Sequence, residues 1–122
     1  MSVVIYNLTQ HSPTPSQIAE GVGEPLEGCK ALLTFETLPS TGDITQRAFE
    51  LVRLVAAAAP AGSRVMVGGA PYLMGTLVRF LQETGYRPVY SFTQRKTVEA
   101  VQPDGTVKKT AVFEHVGWVE ET

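Results

Sequence analysis

The 122-residue chain has little of the chemistry that metal sites and disulfides need: one cysteine and two histidines. Cys29 cannot form a disulfide within the chain, which fits a reducing compartment, and we interpret it as a small packing residue rather than a nucleophile. His11 and His115 lie far apart in the sequence and show no recognisable metal-ligand spacing. The sequence therefore predicts no metal site and no bound cofactor.

The chain also lacks long apolar runs and a strong excess of either charge. No stretch approaches the ~18 apolar residues that span a bilayer, and the N-terminus does not have the pattern of a secretion signal. A formal charge of −2 and a pI of about 5.6 argue against binding long nucleic acid through its backbone. We expect a cytoplasmic protein with neither membrane nor long nucleic acid as a partner. A small anionic ligand is compatible with this charge, because it needs only a few local donors.

The composition is that of a globular protein, 43% hydrophobic and 18% charged, and we expect one domain over residues 1–122. Apolar strand patterns end in polar or glycine-rich turns, and helical patterns follow them. The predicted strands are residues 3–6, 31–35 and 65–67, and the predicted helices are residues 15–20, 44–55 and 72–84. This alternation predicts a Rossmann-like α/β three-layer sandwich with a mostly parallel sheet of about four strands.

The C-terminal part has a different pattern, in which residues 89–102 and 107–119 read as two long strands. They surround Asp104-Gly105, a strong signal for a two-residue hairpin turn. If those two residues form the turn, the facing pairs are Val98 with Ala111, Lys96 with Phe113, Gln94 with His115, and Arg95 with Glu114. The arms exceed the usual strand length, so the hairpin of residues 89–119 should project beyond the sheet. Phe92 and Trp118 are expected in the core.

Ligands of parallel α/β sheets bind at the carboxyl ends of the strands, and right-handed crossovers bring these ends to one edge. His11, which can transfer protons, and Arg95, which suits phosphate, are the candidate catalytic residues at that edge. The turn after residue 67 offers backbone N–H groups at the start of a helix. The candidate ligand-binding residues are Asn7, Thr9, Gln10, Thr34, Gly68, Gly69, Ala70 and Gln94.

Structural interpretations of the same residues stay open. Gly68 and Gly69 can form a tight turn without binding anything, and Asn7 can serve to shape the turn after the first strand. Arg95 can pair with Glu114 across the hairpin. A full dinucleotide fingerprint, a Walker lysine and a nucleophile elbow are absent, and Ser91 has no obvious base in sequence. We interpret His115 as structural.

The opening Ile5-Tyr6-Asn7-Leu8-Thr9-Gln10-His11-Ser12-Pro13-Thr14-Pro15-Ser16-Gln17 resembles the N-terminus of small stand-alone CRISPR-associated Rossmann-fold (CARF-like) proteins. The turn Gly68-Gly69-Ala70-Pro71 sits where those proteins have a strand-to-helix turn near their ligand. The resemblance implies binding of a cyclic oligonucleotide messenger in antiviral defence and, as in some members, its metal-independent cleavage. The chain also resembles a group of small uncharacterised bacterial and phage proteins.

The resemblance further implies a role for individual residues. Gly69 and Ala70 would donate backbone N–H groups to a phosphate, and Arg95 would contribute charge-assisted hydrogen bonds. His11 would act as general acid or base while a ribose hydroxyl attacks the neighbouring phosphate. A homodimer would hold a symmetric messenger. Two alternatives stay open: a non-catalytic regulatory module whose hairpin docks a partner protein, and an enzyme acting on another small phosphorylated metabolite.

Overall fold

The structure is a computed structural model that describes residues 3–121. Within this range the strands form one five-stranded sheet in the order β2-β1-β3-β4-β5, in which the first four strands are parallel and β5 is antiparallel to β4. The predicted α/β class, the mostly parallel sheet and the C-terminal hairpin are confirmed. The elements are β1 (Ile5–Leu8), α1 (Pro15–Ala19), β2 (Val22–Pro25), α2 (Cys29–Leu33), α3 (Thr41–Ala58), β3 (Arg64–Val67), α4 (Pro71–Glu83), β4 (Arg87–Val101) and β5 (Val107–Glu120).

The two faces of the sheet are covered unequally. On one face, α2, α3 and α4 pack over strand residues that include Leu8, Val65 and Val67, which gives the larger core. The other face has a small apolar cluster of Ile5, Val22, Met66 and Val89, against which Trp118 packs. The short helix α1 lies on this side and contacts β2 and β5. The third layer of the sandwich is therefore thin, and polar side chains help to close it.

The predicted helices are present because their local signals agree with the fold. Thr14 and Gln17 form the capping box that begins α1. A second capping box joins Ser40 to Asp43 at the start of α3, and the hydrogen bonds from Ser40 lower the pKa of the Asp43 carboxyl. Pro71 occupies the first turn of α4. Among the described residues, no helix is both long and apolar enough to cross a bilayer.

The second strand was predicted in the wrong place. Residues 31–35, expected to be that strand, belong largely to α2, and β2 is instead the Val-Gly-Glu-Pro segment next to β1. A short apolar run does not distinguish a buried helix from a strand. Gly23 within β2 and Gly21 just before it hide the strand character, but they let this segment approach the chain that leads into β1: a Cβ on Gly21 would lie 2.2 Å from Val4 Cγ2. Contact between segments, rather than local propensity, selects this strand.

The hairpin exists, but its predicted register was wrong by one residue. Val98 faces Thr110, Lys96 faces Val112, Gln94 faces Glu114 and Arg95 faces Phe113. The turn is longer than predicted, because Gln102 N–H donates to the Thr106 carbonyl and Gly105, at φ 86°, completes a three-residue loop. The pairing shifts again at a bulge between Phe92 and Thr93: Thr93 faces His115, whereas Phe92 faces Gly117.

Candidate functional site

A cavity of about 530 Å³ opens at the carboxyl ends of β1 and β3, beside Tyr90 and Ser91 of β4, at the edge where the sequence predicted a site. The structure brings together five of the predicted residues there: Thr9, Gln10 and His11 from the loop after β1, and Gly68 and Gly69 from the β3–α4 turn. The remaining lining residues are Ser12, Thr14, Gln17, Met66, Val67, Tyr90 and Ser91.

Asn7 holds the loop after β1 from beneath and does not line the cavity. Its side chain is fully buried. The amide nitrogen donates to the carbonyls of His11 and Gly23, each at 3.1 Å. The amide oxygen accepts from the backbone N–H of Thr9 at 2.9 Å and from its hydroxyl at 2.7 Å. Asn7 therefore fixes the positions of Thr9 and His11, which do line the cavity.

The double-glycine turn has one position that requires glycine and one that does not. Gly69 has a φ of 153°, a conformation that L residues rarely adopt. At Gly68 an added Cβ would make an ordinary contact, 3.5 Å from Thr9 Cγ2. Ala70 is the N-cap of α4, makes no side-chain cap hydrogen bond and accepts from Leu73 and Met74 through its carbonyl. Ala70 adjoins the cavity through Gly69 without lining it.

Thr34 lies outside the cavity, at the C-terminal cap of α2 rather than at the end of a strand. Its hydroxyl donates to the Lys30 carbonyl at 2.8 Å and accepts from the Gln10 side-chain amide at 2.6 Å. Because Gln10 lines the cavity, Thr34 can influence the site only through that side chain. The misplaced second strand is the reason that Thr34 was expected to line the edge directly.

Gln94 and Arg95 lie on the exposed part of β4 and do not line the cavity. Arg95 and the cavity residue Ser91 share one face of β4, since side chains alternate along a strand, and four residues separate them by roughly 13 Å. The proposed pairing of Arg95 with Glu114 does not form, because Glu114 makes an ion pair with Lys96. The structure therefore leaves Arg95 exposed on the face of β4 that Ser91 shares, outside the cavity.

The sequence did not reveal a chain of polar contacts behind the cavity, formed by Ser91, His115 and Glu20. Ser91 Oγ lies 2.5 Å from His115 Nδ1, and His115 Nε2 lies 2.5 Å from Glu20 Oε2. The amide of Gln17 donates to Ser91 Oγ at 3.0 Å. The His115 ring stacks at a tilt on Trp118, with centroids 4.5 Å apart. These residues are remote in sequence, and only the pairing of β4 with β5 and the packing of α1 on β5 bring them together.

The cavity carries little charge. In the range 3–121 no lysine, arginine, aspartate or glutamate lines it, so His11 and the phenol of Tyr90 are its titratable groups. Burial, together with the nearby Glu121 carboxylate, raises the pKa of Tyr90, which keeps its hydroxyl protonated near neutral pH. Burial likewise raises the pKa of the Cys29 thiol beneath the Thr9 carbonyl, as suits a packing residue.

The described residues contain no group of three or more histidine, cysteine, aspartate or glutamate side chains that could hold a metal ion.

Comparison with known proteins identifies the chain at family level: residues 3–119 match the uncharacterized protein MJ1673 family. No curated protein and no solved structure matches the chain. The chain therefore belongs to the MJ1673 family, in agreement with the predicted likeness to small uncharacterised proteins.

Proposed function

We propose that this member of the MJ1673 family binds a cyclic nucleotide or oligonucleotide messenger in the cavity at the carboxyl edge of its sheet. The observation that carries the proposal is the convergence of Thr9, Gln10 and His11 with Gly68 and Gly69 around one cavity of about 530 Å³. This volume lies within the range of about 300–1,000 Å³ that is usual for small-molecule sites. Hydroxyl, amide and imidazole groups suit the hydrogen-bonding edges of a nucleotide.

The phosphate contacts would come from neutral groups inside the cavity and from one cation outside it. Backbone N–H groups at Gly69 and Ala70, beside the start of α4, can donate to phosphate oxygens. Because no basic side chain lines the cavity among residues 3–121, the charge of the ligand must be met from its mouth. Arg95, on the face of β4 that Ser91 shares, would supply a guanidinium to a ligand that extends out of the cavity.

The CARF-like resemblance supplies the finer part of the proposal. In a homodimer, two copies of this edge would bind the two halves of a symmetric cyclic oligoadenylate. His11 would then act as general acid or base in a metal-independent cleavage, in which a ribose hydroxyl attacks the adjacent phosphorus and the neighbouring ribose oxygen leaves. Positioning and charge stabilisation, rather than a strong nucleophile, would drive this step.

Calorimetric titration with cyclic tetra-adenylate and with cyclic dinucleotides tests the binding proposal. We expect Arg95→Ala to weaken binding by about 1.5–3 kcal/mol, the loss of a charge-assisted hydrogen bond. Lys96→Ala is the matched control, because Lys96 is the adjacent residue on the opposite face and pairs with Glu114. Absence of heat and of a thermal shift with every cyclic nucleotide would reject this function. Equal effects of the two substitutions would remove Arg95 from the site.

Cleavage is tested separately from binding. Incubation of cyclic tetra-adenylate with the protein in EDTA should give linear products, resolved by chromatography, if the reaction needs no metal. His11→Ala should abolish the products while leaving the affinity within roughly threefold, since a general acid–base acts mainly in the transition state. Binding without any product would make the protein a receptor for the messenger rather than a ring nuclease.

A second candidate function is protein docking through the hairpin, and one observation favours it. Residues 92–101 and 103–114 are all exposed, although several are apolar. Phe92, which was expected in the core, is 54% exposed, and Phe113 on the opposite face is 72% exposed. Scattered exposed apolar residues are ordinary, but a projecting two-stranded ribbon with apolar residues on both faces is typical of an interaction element.

A further inference from the structure

The contacts around Ser91 fix which atoms carry the protons. An ionised carboxylate only accepts hydrogen bonds, so the 2.5 Å contact with Glu20 places the ring proton of a neutral His115 on Nε2. His115 Nδ1 is then an acceptor, and the Ser91 hydroxyl must donate to it across their own 2.5 Å contact. The Gln17 amide donates to Ser91 Oγ, which accepts through a lone pair while the hydroxyl proton points to His115.

A hydrogen-bonded series of serine, imidazole and carboxylate is the arrangement that activates a serine as a nucleophile. A base within hydrogen-bond reach takes the serine proton, and a third group orients the base and stabilises its charged form. The side chain of His115 is 1% exposed, whereas that of Glu20 is 45% exposed. Of these three residues, only Ser91 lines the cavity, so a bound molecule would meet its hydroxyl first. The imidazole is thus shielded from water behind the hydroxyl that it can deprotonate.

We propose that Ser91 is a catalytic nucleophile and that the cavity hydrolyses a small uncharged carboxylic ester. Ser91 Oγ attacks the carbonyl carbon as its proton passes to His115 Nδ1. The tetrahedral adduct collapses, the ester C–O bond breaks, and the leaving alkoxide takes the proton from Nδ1. Water then attacks the acyl-serine in the same way, with His115 as base, and releases the carboxylic acid and free Ser91. Glu20 and Gln17 are positioning residues.

The lining of the cavity selects this substrate class. Within the described part of the chain it offers no lysine or arginine to neutralise an anionic electrophile, and Met66 and Val67 give it an apolar portion. An ester is neutral and accepts hydrogen bonds, which suits such a lining better than a phosphomonoester does. This inference requires only that Ser91 opens on the cavity, so it does not depend on the nucleotide proposal.

The experiment uses the whole protein with phenylmethylsulfonyl fluoride, an uncharged serine reagent, and with p-nitrophenyl acetate as an activated ester. We expect one adduct per chain, mapped to Ser91 by peptide mass spectrometry, and turnover of the ester that the reagent abolishes. Ser91→Ala should remove both. Ser63→Ala is the matched control, because Ser63 lies outside the cavity and its hydroxyl donates to the Pro60 carbonyl at 2.6 Å rather than to a histidine.

Glu20→Gln tests the positioning role of Glu20. It should slow the modification of Ser91 by at least roughly 10-fold, because the substitution weakens His115 as a general base without removing it. Glu24→Gln should leave the rate unchanged. Wild-type protein in which Ser91 stays unmodified, or reacts no faster than Ser63, overturns the proposal, and this mapping needs no variant to fold. Labelling of Ser91 without cyclic-nucleotide binding would reject the proposed function alone. Nucleotide binding without labelling would reject this inference alone.

Discussion

A single buried amide determines the shape of the loop that forms one wall of the cavity. Asn7 uses both of its donors and accepts twice at its oxygen, all within the loop and β2. No buried side-chain nitrogen or oxygen among residues 3–121 is without a partner, so this network is complete. A complete buried network is costly to break, because the groups left behind lose hydrogen bonds that water cannot replace.

We therefore predict that Asn7→Ala lowers the free energy of unfolding by about 2–3 kcal/mol, measured by urea denaturation. Gln10→Ala is the control: Gln10 lies in the same loop but is exposed and makes one side-chain hydrogen bond, to Thr34. That variant should lose less than about 1 kcal/mol. Similar losses of unfolding free energy in both variants would show that the Asn7 hydrogen bonds do not stabilise the fold, and Asn7 could then serve to bind a ligand.

Residue identity was enough to nominate His11, Thr9 and the two glycines, because strand ends and turns can be read from local sequence. It was not enough for Ser91 or His115, which was interpreted as structural. An alternating strand pattern does not encode a bulge in the partner strand, and α1 gave no sign that Glu20 would reach β5. The polar chain behind the cavity depends on three segments that meet only in the folded protein.

At the scale of elements, β2 is a strand because β1 can approach it closely. Gly21 combines a φ of 93° with an added-Cβ position 2.2 Å from Val4 Cγ2. Gly23 is similarly close to Val3, at 2.9 Å. The same two glycines follow directly on the short helix α1, and their role in strand pairing cannot be read from the sequence without the neighbouring strand.

Gly21→Ala should destabilise the protein more than Gly62→Ala does. Comparing the two variants separates the cost of a positive φ from the cost of a steric contact. Gly62 also has a positive φ, of 86°, but an added Cβ there would meet nothing within 4 Å. We expect about 1–2 kcal/mol for Gly62→Ala from the left-handed backbone alone. Gly21→Ala should cost about 1–3 kcal/mol more, because Val4 must move. Equal changes in unfolding free energy would mean that β2 does not pack closely on β1.

At the scale of the whole molecule, the protein divides into a packed body and a ribbon that extends from it. The base of the hairpin is held by Arg87 and Glu120, which form a two-point ion pair at 2.5 and 3.0 Å. Beyond the pair of Thr93 with His115 the side chains are exposed up to the turn, apart from the half-buried Gln102, and pair mainly across the ribbon. The outer ribbon therefore adds little to the core that supports the cavity.

Shortening the ribbon tests that division. Replacing residues 98–110 by Asn-Gly joins Thr97 to Ala111, which already face each other, through a two-residue turn. We expect the free energy of unfolding to change by less than about 1 kcal/mol, because exposed positions contribute little. Reaction of Ser91 with the sulfonyl fluoride should also be unchanged. A shift in mass by light scattering would indicate that the outer ribbon joins two copies, and a large loss of stability would refute the division.

The sequence by itself determined the α/β class, three of the four parallel strands, the main helices and the edge of the sheet where a cavity forms. These features follow from local periodicity, capping residues and glycine turns, which act over a few residues. The tertiary structure alone decided the position of β2, the register of the hairpin and the meeting of Glu20, Ser91 and His115. Each of these depends on contacts between distant segments, where close approach and buried hydrogen bonds outweigh local preference.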